Sequence, residues 1–547
     1  MKRGEGGLAR AALLTAALTA VGSLLGLMRD QALAHLFGAG SDTDAFLVAW
    51  TVPEFASTLL IEDAMALLLV PAFSRALAHR AAGQLAHGDP VRHLLRHTLP
   101  RLALASGAVA AVVVAWAPAL VGGLAPGLAD PSLAVDCTRL TATCVFTFAL
   151  AGYCSAALRA HGRYISPATI YVAYNVGIIG TLLLSSGAHW GVRSAAAGVA
   201  IGGVLMVLVQ APSLWRVLRT APGEGVAAQP ASGTPPVLAL ALMAPVVVFT
   251  VSRQSQVLVE RYLASPLAGG AISHLNYAQK VAQIPMMLSL MLCTVNFPVV
   301  ARALAAGEPR TAQRRMERDL VAAAAIVLFG AAVVTAAAPQ IIELLFQRGA
   351  FDAQDTGATA AIMRVYALGL LGQTLVGTLV RCYFSAARPL WYPAVAMLTG
   401  LAANIVGGLV AAAVWGAAGI AAANALGITV TAAMLLCGIR RQGVPLAVGG
   451  LSLALLKLTV AAAAATAAGW CVARTPVAPA LAVALTTGVA AVTFLALAAA
   501  VQAPQIPSLF FSVSRRLTHA KENPQLGQNS LPGAQRSSMD RDVPLDQ

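Results

Sequence analysis

The sequence is short of charge. Only 11% of its 547 residues are Asp, Glu, Lys or Arg, against roughly 25% in a soluble globular domain. That excludes an ordinary water-soluble fold. Motifs that carry chemistry are missing too. The seven cysteines (Cys137, Cys144, Cys154, Cys293, Cys382, Cys437 and Cys471) lie in or at the ends of apolar stretches and form no CxxC pair. Buried cysteine of this kind behaves as a small hydrophobe, so neither a disulfide framework nor a metal site is expected. The nine histidines show no HExxH spacing. No Walker A sequence or other phosphate-cradling glycine loop occurs, so the chain does not power itself by hydrolysing ATP. No nucleophile–base pair stands at matching depth, which makes a membrane enzyme the least favoured reading. A separate cleavable signal peptide is not expected either: Met1 to Gly7 is short and basic, and the apolar run behind it is too long for an h-region.

What remains is hydrophobic: 58% of the residues are apolar. Runs long enough to cross a bilayer, about 20 residues each, recur along nearly the whole chain. With no water to satisfy the backbone, such runs must be helices. The sequence predicts an all-α polytopic membrane protein with about fourteen spans, over 9–36, 43–73, 99–121, 134–160, 165–186, 193–215, 237–264, 271–301, 319–346, 356–386, 391–415, 417–438, 446–471 and 478–502. The net charge of +14 then sorts by loop. One set holds Lys2, Arg3, Arg75, Arg80, Arg92, Arg163, Arg216, Arg302, Arg310, Arg388, Arg440 and others, and the alternate set little more than Arg193, Arg348 and Arg474. This is the positive-inside pattern. It puts both termini in the cytoplasm and makes nucleic acid an unsuitable partner. From 503 the chain is polar and rich in Pro, Gln, Ser and Asp, and reads as a disordered cytoplasmic tail.

An internal repeat divides the rest. Arg29 to Pro53 can be laid on Arg261 to Pro285 without a gap, matching Arg29 with Arg261, Gly38 with Gly270, Ala39 with Ala271 and Pro53 with Pro285. Ser166-Pro167-Ala168 echoes Tyr392-Pro393-Ala394 at a similar offset. The match predicts a parallel repeat of two six-helix lobes, 1–220 and 221–442, followed by two extra helices over 443–502 and the tail over 503–547. Two facing bundles can form a cavity open alternately to either side.

Charges within spans are costly and must face a cavity, pair or snorkel. They concentrate in the leading helices of the two lobes. Arg29 and Asp30 close the first span. Asp44 and Glu62, eighteen residues apart, return to one face at about 100° per residue. Arg253, Glu260 and Arg261 lie in the seventh span. Ser273, Asn276, Lys280 and Gln283 make a polar stripe in the eighth. Each residue singly could be a buried pair, such as Arg29 with Asp30 or Arg253 with Glu260. As a set they predict a polar cavity whose cations Arg29, Arg253, Arg261 and Lys280 suit an anionic substrate, arginine being a natural fork for phosphate. Gly22 and Gly26 are spaced for close helix packing.

Several blocks resemble the MurJ/MviN family of the MOP exporter superfamily: Gly26-Leu27-Met28-Arg29-Asp30, Phe37-Gly38-Ala39-Gly40, Thr43-Asp44-Ala45-Phe46, Val52-Pro53, Glu62, Asn276-Tyr277-Ala278-Gln279-Lys280, Ile284-Pro285 and Leu345-Phe346-Gln347-Arg348-Gly349-Ala350-Phe351. The resemblance implies two six-helix lobes and two further helices that line a groove for a lipid tail. It implies flipping of lipid II, the undecaprenyl-pyrophosphate-linked peptidoglycan precursor, to the outer leaflet of the cytoplasmic membrane, in the service of cell-wall synthesis and cell shape. It places Arg29, Asp44, Glu62 and Lys280 on functional positions, with Arg usual where Lys280 stands. The chain departs from the family near Ser23, Ser57 and Thr58, where arginines are common. Asn404 matches a residue of the family's sodium site, but Gly408 follows where another polar ligand is expected. No cofactor is implied; the driving force is left between a coupling ion (Na+ or H+) and the membrane potential. Expected partners are a lipid-linked anionic substrate, membrane lipids and, as a candidate, cell-wall synthesis proteins. Two alternatives stand beside lipid II: export of another polyprenyl-linked glycan or amphipathic metabolite, and a membrane scaffold that has lost transport.

Overall fold

The computed structural model describes residues 2–82, 89–185, 190–219, 236–291, 293, 309–384, 390–439 and 448–500. The expected tail over 503–547, the end of the span expected at 271–301, and Arg302, Arg388, Arg440 and Arg441 lie outside the described residues. Among the described residues there is no strand.

The first bundle is built from α1 (Lys2–Phe37), α2 (Ser41–Ala56), a π-helical stretch (Ser57–Asp63), α3 (Ala64–Ala81), α4 (Pro90–Ala115), α5 (Ala117–Leu124), α6 (Pro131–Ala160), α7 (Ile165–Ala168), α8 (Ile170–Leu184) and α9 (Arg193–Arg219). Helix α6 runs through its middle, packed by α2, α4 and α9. Its start is fixed by Pro131 and by the carboxylate of Asp130, which accepts from Leu133 N at 3.0 Å; proline at the first position and an acidic N-cap satisfy helix-start geometry. Small residues then let neighbours close in. A Cβ on Gly152 would fall 2.2 Å from the carbonyl oxygen of Leu60.

The second bundle comprises α10 (Pro236–Ala264), α11 (Ala271–Ala282), α12 (Pro309–Ala336), α13 (Ala338–Phe346), α14 (Ala353–Phe384) and α15 (Tyr392–Gly438). Two more helices, α16 (Val448–Ala473) and α17 (Pro479–Ala500), pack on each other and on α12. Helix α15, with 47 residues, would be about 70 Å long if straight, more than twice the apolar thickness of a bilayer. It folds back at Gly416, whose φ of 56° leaves the helical region. Gly419 then lies against Ala411, and Gly427 against Asn404, so the run is an antiparallel pair matching the spans expected at 391–415 and 417–438. Ten described helices, α15 counted once, are long and apolar enough to cross a membrane. The full number of fourteen remains an expectation of the sequence.

The bundles meet at one end. Gly38 and Gly270, matched by the repeat, both adopt left-handed backbone, φ 66° and 94°. Each is pressed against the other bundle. A Cβ on Gly38 would lie 2.7 Å from Ala350 O, and one on Gly270 2.3 Å from Ala39 O. Only glycine combines that backbone with that approach. Nearby, Ala350 N donates to His35 O at 2.9 Å, Gln31 Nε2 to Leu345 O at 3.0 Å and Gly127 N to Ser265 Oγ at 3.3 Å. These segments are the ones that the distribution of basic residues assigns to the outer side.

Candidate functional site

A polar cluster occupies the seam. Arg29 and Asp30, near the end of α1, are 8% and 5% exposed. Burial at this level requires partners. Arg29 donates from Nε and Nη2 to Asp30 Oδ1 at 3.0 and 2.8 Å, and from Nη1 to Asn175 Oδ1 at 3.2 Å. Its guanidinium lies 4.4 Å from the centre of the Trp50 ring, a cation–π distance. The second oxygen of Asp30 faces Lys280 Nζ at 3.0 Å. Asp30 in the first bundle thus holds a cation from each bundle, one on either oxygen. The Lys280 side chain keeps a third of its surface exposed.

Helix α8 forms the wall beside this cluster. Gly22 and Gly26 of α1 let it approach, meeting Tyr171 and Asn175 respectively. Asn175 is fixed by donating to Gly22 O and Tyr171 O at 3.1 and 2.9 Å, which leaves its oxygen for Arg29. One turn earlier, Tyr171 OH donates to Glu62 Oε1 at 2.9 Å. Residues four apart share a helix face, so α8 presents Arg29 and Glu62 along one line. Glu62 itself is exposed and sits in the π-helical stretch Ser57–Asp63, a local widening common at functional sites.

Asp44 lies elsewhere. It is 4% exposed and accepts from Gly270 N at 2.7 Å, Ser273 N at 2.7 Å and Ser273 Oγ at 2.5 Å. Gly270 has no side chain to cap α11, and Asp44 supplies the cap from the opposite bundle, with its charge at the positive end of the helix. The expectation that Asp44 and Glu62 share a face does not hold: the wider π turns between them break the 100° count, and the two carboxylates serve different partners. Arg261 is 4% exposed and stays within its own bundle, reaching Ile272 O and Asn276 Oδ1 at 3.4 and 3.5 Å. Glu260 is buried and accepts from Asn424 Nδ2 at 2.6 Å, whereas Arg253 is exposed farther along α10. The structure therefore brings Arg29 and Lys280 together, sets Glu62 on the adjoining wall, and turns Arg261 to partners in its own hairpin. The distribution of charge does not point to Trp50, Tyr171 and Asn175 because they are neutral; Trp50 stands one turn from Glu54, and Tyr171 and Asn175 stand one turn from each other in a helix without charges.

Beside the cluster an apolar cleft of about 1000 Å³ opens between the bundles, with Phe55, Leu59, Leu120, Val259, Tyr262 and Ile405 among its lining residues. Its character suits hydrocarbon.

The family model described as "Lipid II flippase MurJ" matches residues 33–498. The chain belongs to the MurJ family. Among curated MurJ relatives, the "Probable lipid II flippase MurJ" of Rhizobium meliloti is 29% identical over 376 residues, covering 66% of this chain and 68% of the relative. The "Lipid II flippase MurJ" of Burkholderia cenocepacia is 27% identical over 383 residues, covering 69% and 73%. A solved "Lipid II flippase MurJ, inward closed conformation" superposes with a TM-score of 0.71 at 19% identity, over 89% of this chain and 98% of that one. An inward-facing multidrug resistance MATE transporter of the MOP superfamily gives 0.62 at 14% identity, over 81% and 99%. The fold is therefore MurJ- and MOP-type.

The three positions that depart from the MurJ pattern are occupied locally. Ser23 Oγ donates to Thr19 O at 3.1 Å, and Ser57 Oγ and Thr58 Oγ1 donate to Glu54 O at 3.0 and 3.1 Å. Each hydroxyl is satisfied by its own helix, so none replaces a cavity cation. Asn404 is fully buried, and neither amide atom has a hydrogen-bond partner. A small cation could satisfy the orphaned oxygen, but hard cations take several oxygen ligands. At Gly408 a side chain would meet Leu263 Cδ1 at 2.5 Å. The residues at this place do not fit an ion site of their own.

Proposed function

We propose that this chain flips lipid II from the inner to the outer leaflet of the bacterial cytoplasmic membrane by alternating access, with both termini cytoplasmic. The observation that carries the reading, within a MurJ-family chain, is the Arg29–Asp30–Lys280 cluster at the seam between the bundles. A pyrophosphate is a better partner for two cations than a single carboxylate, because it carries more charge and more acceptor oxygens. Bound between Arg29 and Lys280, it would take both from Asp30 and so weaken the ion pair joining the bundles. Ligand binding would then favour the conformation in which the bundles part at the closed end, since a ligand shifts an equilibrium only through different contacts in the two states. Glu62, held by Tyr171, faces the sugar–peptide portion. The lobes 1–220 and 221–442 are the moving bodies. Asp44 is the latch of the inward-open state. α16 and α17 line the groove for the prenyl tail. No chemical bond changes, so the protein is a transporter and not an enzyme.

A second reading keeps the mechanism and changes the cargo. The hydroxyls at Ser23, Ser57 and Thr58 leave fewer cations for a headgroup than the family usually offers, which favours another polyprenyl-linked glycan. Complementation separates the two. The chain is expressed in a bacterium depleted of its lipid II flippase, with membrane abundance, growth and outer-leaflet lipid II measured together. Rescue is the expected result. A well-expressed chain that leaves lipid II on the inner leaflet moves the assignment to the other cargo.

A further inference from the structure

A second polar cavity lies away from the seam. It has a volume of about 430 Å³ and is formed where α12 and α13 meet α14 and the end of α16, with Gln340, Arg364, Trp470, Arg474 and Thr475 among its lining residues. Two arginines converge there on one indole. The Arg364 guanidinium lies 4.5 Å from the Trp470 ring centre and that of Arg474 5.5 Å from it. Arg364 is anchored by Nε, which donates to Thr335 O at 3.2 Å. Among the described residues its terminal nitrogens have no hydrogen-bond acceptor, and neither arginine has a carboxylate within ion-pair distance. Two cations gathered on one indole, with no carboxylate beside them, leave a local positive potential that favours an anion.

A further group points the same way. Gln340 donates from Nε2 to Ala473 O at 2.7 Å, which fixes its amide, while its Oε1 is buried and accepts nothing. A ligand for this cavity therefore carries an anionic group for the arginines and a donor for Gln340. The location narrows it further. Trp470 stands one turn from the end of α16, and tryptophan at such a position marks the membrane–water interface. Helix α13 leads from the cavity to Leu345 at the closed end of the seam, the side that the basic residues assign to the outer leaflet.

We propose that this cavity binds the headgroup of an anionic phospholipid in the outer leaflet, with Arg364 and Arg474 on the phosphodiester and Gln340 Oε1 on a headgroup hydroxyl. The site is separate from the transport cluster and does not depend on which lipid is flipped. Basic residues are rare on this side of the membrane, so a place where two meet is a specific feature against a neutral background.

The test uses the purified full-length chain, delipidated in a neutral detergent and titrated with phosphatidylglycerol or phosphatidylcholine. Bound lipid is counted by native mass spectrometry, and thermal unfolding is followed in parallel. One phosphatidylglycerol should be retained in preference to phosphatidylcholine. Arg474→Gln should weaken that binding about tenfold, the size of one charge-assisted hydrogen bond, and Arg474→Lys by less. Arg364→Gln should act similarly. Should that variant misfold, Arg474→Gln carries the test, because its side chain is exposed and makes no hydrogen bond among the described residues. Arg193→Gln, at an exposed arginine paired with Asp136, serves as the control and should change nothing. Equal phosphatidylglycerol binding by the wild type and Arg474→Gln would overturn the proposal. So would equal stabilisation by inorganic phosphate alone, which would make the ligand a free ion.

Discussion

Replacing Asp44 by alanine should open the closed end of the protein without unfolding it. The carboxylate accepts three hydrogen bonds from Gly270 and Ser273, 226 and 229 residues away. It caps α11 and sits at the positive end of that helix. In the open conformation water replaces these bonds, so the net loss is that of a cap, about 0.5–2 kcal/mol, plus a partly buried charge–dipole interaction of up to about 2 kcal/mol. A total near 2–3 kcal/mol shifts the closed–open equilibrium about 30- to 150-fold, at 1.4 kcal/mol per factor of ten. The fold should survive, because the helix packing within each bundle, such as α2, α4 and α9 on α6 and α14 on α15, does not involve this carboxylate. Ser265 reports the change. It is 5% exposed and accepts from Gly127 across the seam. In a background without other cysteines, Ser265→Cys should react with an impermeant maleimide at a rate that tracks the open population. Asp44→Ala should raise that rate by a factor in the stated range. An unchanged rate in a monodisperse, folded protein would refute the latch.

Lys280→Arg should preserve flipping, since it keeps the contact with Asp30, whereas Lys280→Gln should lower it at least about tenfold; complementation titre at matched abundance measures both. Arg29→Ala and Glu62→Ala should abolish function while the protein still reaches the membrane. Tyr171→Phe, which removes only the bond to Glu62, should cause a partial loss in the same assay. Gly270→Ala places a Cβ 2.3 Å from Ala39 O on left-handed backbone, a strain of about 1–2 kcal/mol before any clash, and should speed labelling at Ser265→Cys. Burial holds His161, just past the end of α6, below the usual histidine range; Arg80 and Arg163 add to that effect, and Ala157 O and Asp89 oppose it. The neutral form is therefore favoured in the folded state. Its stability is intact above the ordinary pKa of about 6.5 and declines as the pH falls below it. The melting temperature should drop between pH 7.5 and 5.5 more in the wild type than in His161→Gln.

The spans among the described residues were legible because bilayer thickness imposes a long apolar run wherever the chain crosses, and the fold-back at Gly416 falls between two such runs. Gly38 and Gly270 were legible as a matched pair because a seam of main chain tolerates no side chain at either place. What could not be read was pairing. Asp30 with Lys280, and Asp44 with Gly270, join residues whose separation in sequence says nothing about proximity. The register from Asp44 to Glu62 failed for a local reason: the count assumed an α-helix, and Ser57–Asp63 is wider. Arg261 looked like a second Arg29 but folds onto Asn276, its neighbour in the same hairpin.

The reciprocal glycines bear on how fast the protein can switch. At Gly38 and Gly270 the closed end is peptide group facing peptide group, with no side chain between. Parting them asks for little rotamer rearrangement on either surface, and rejoining them requires no search among side-chain conformations. Such a gate can be shut repeatedly with the same fit. Its tightness is adjustable at two carboxylates, Asp30 and Asp44, without replacing either glycine.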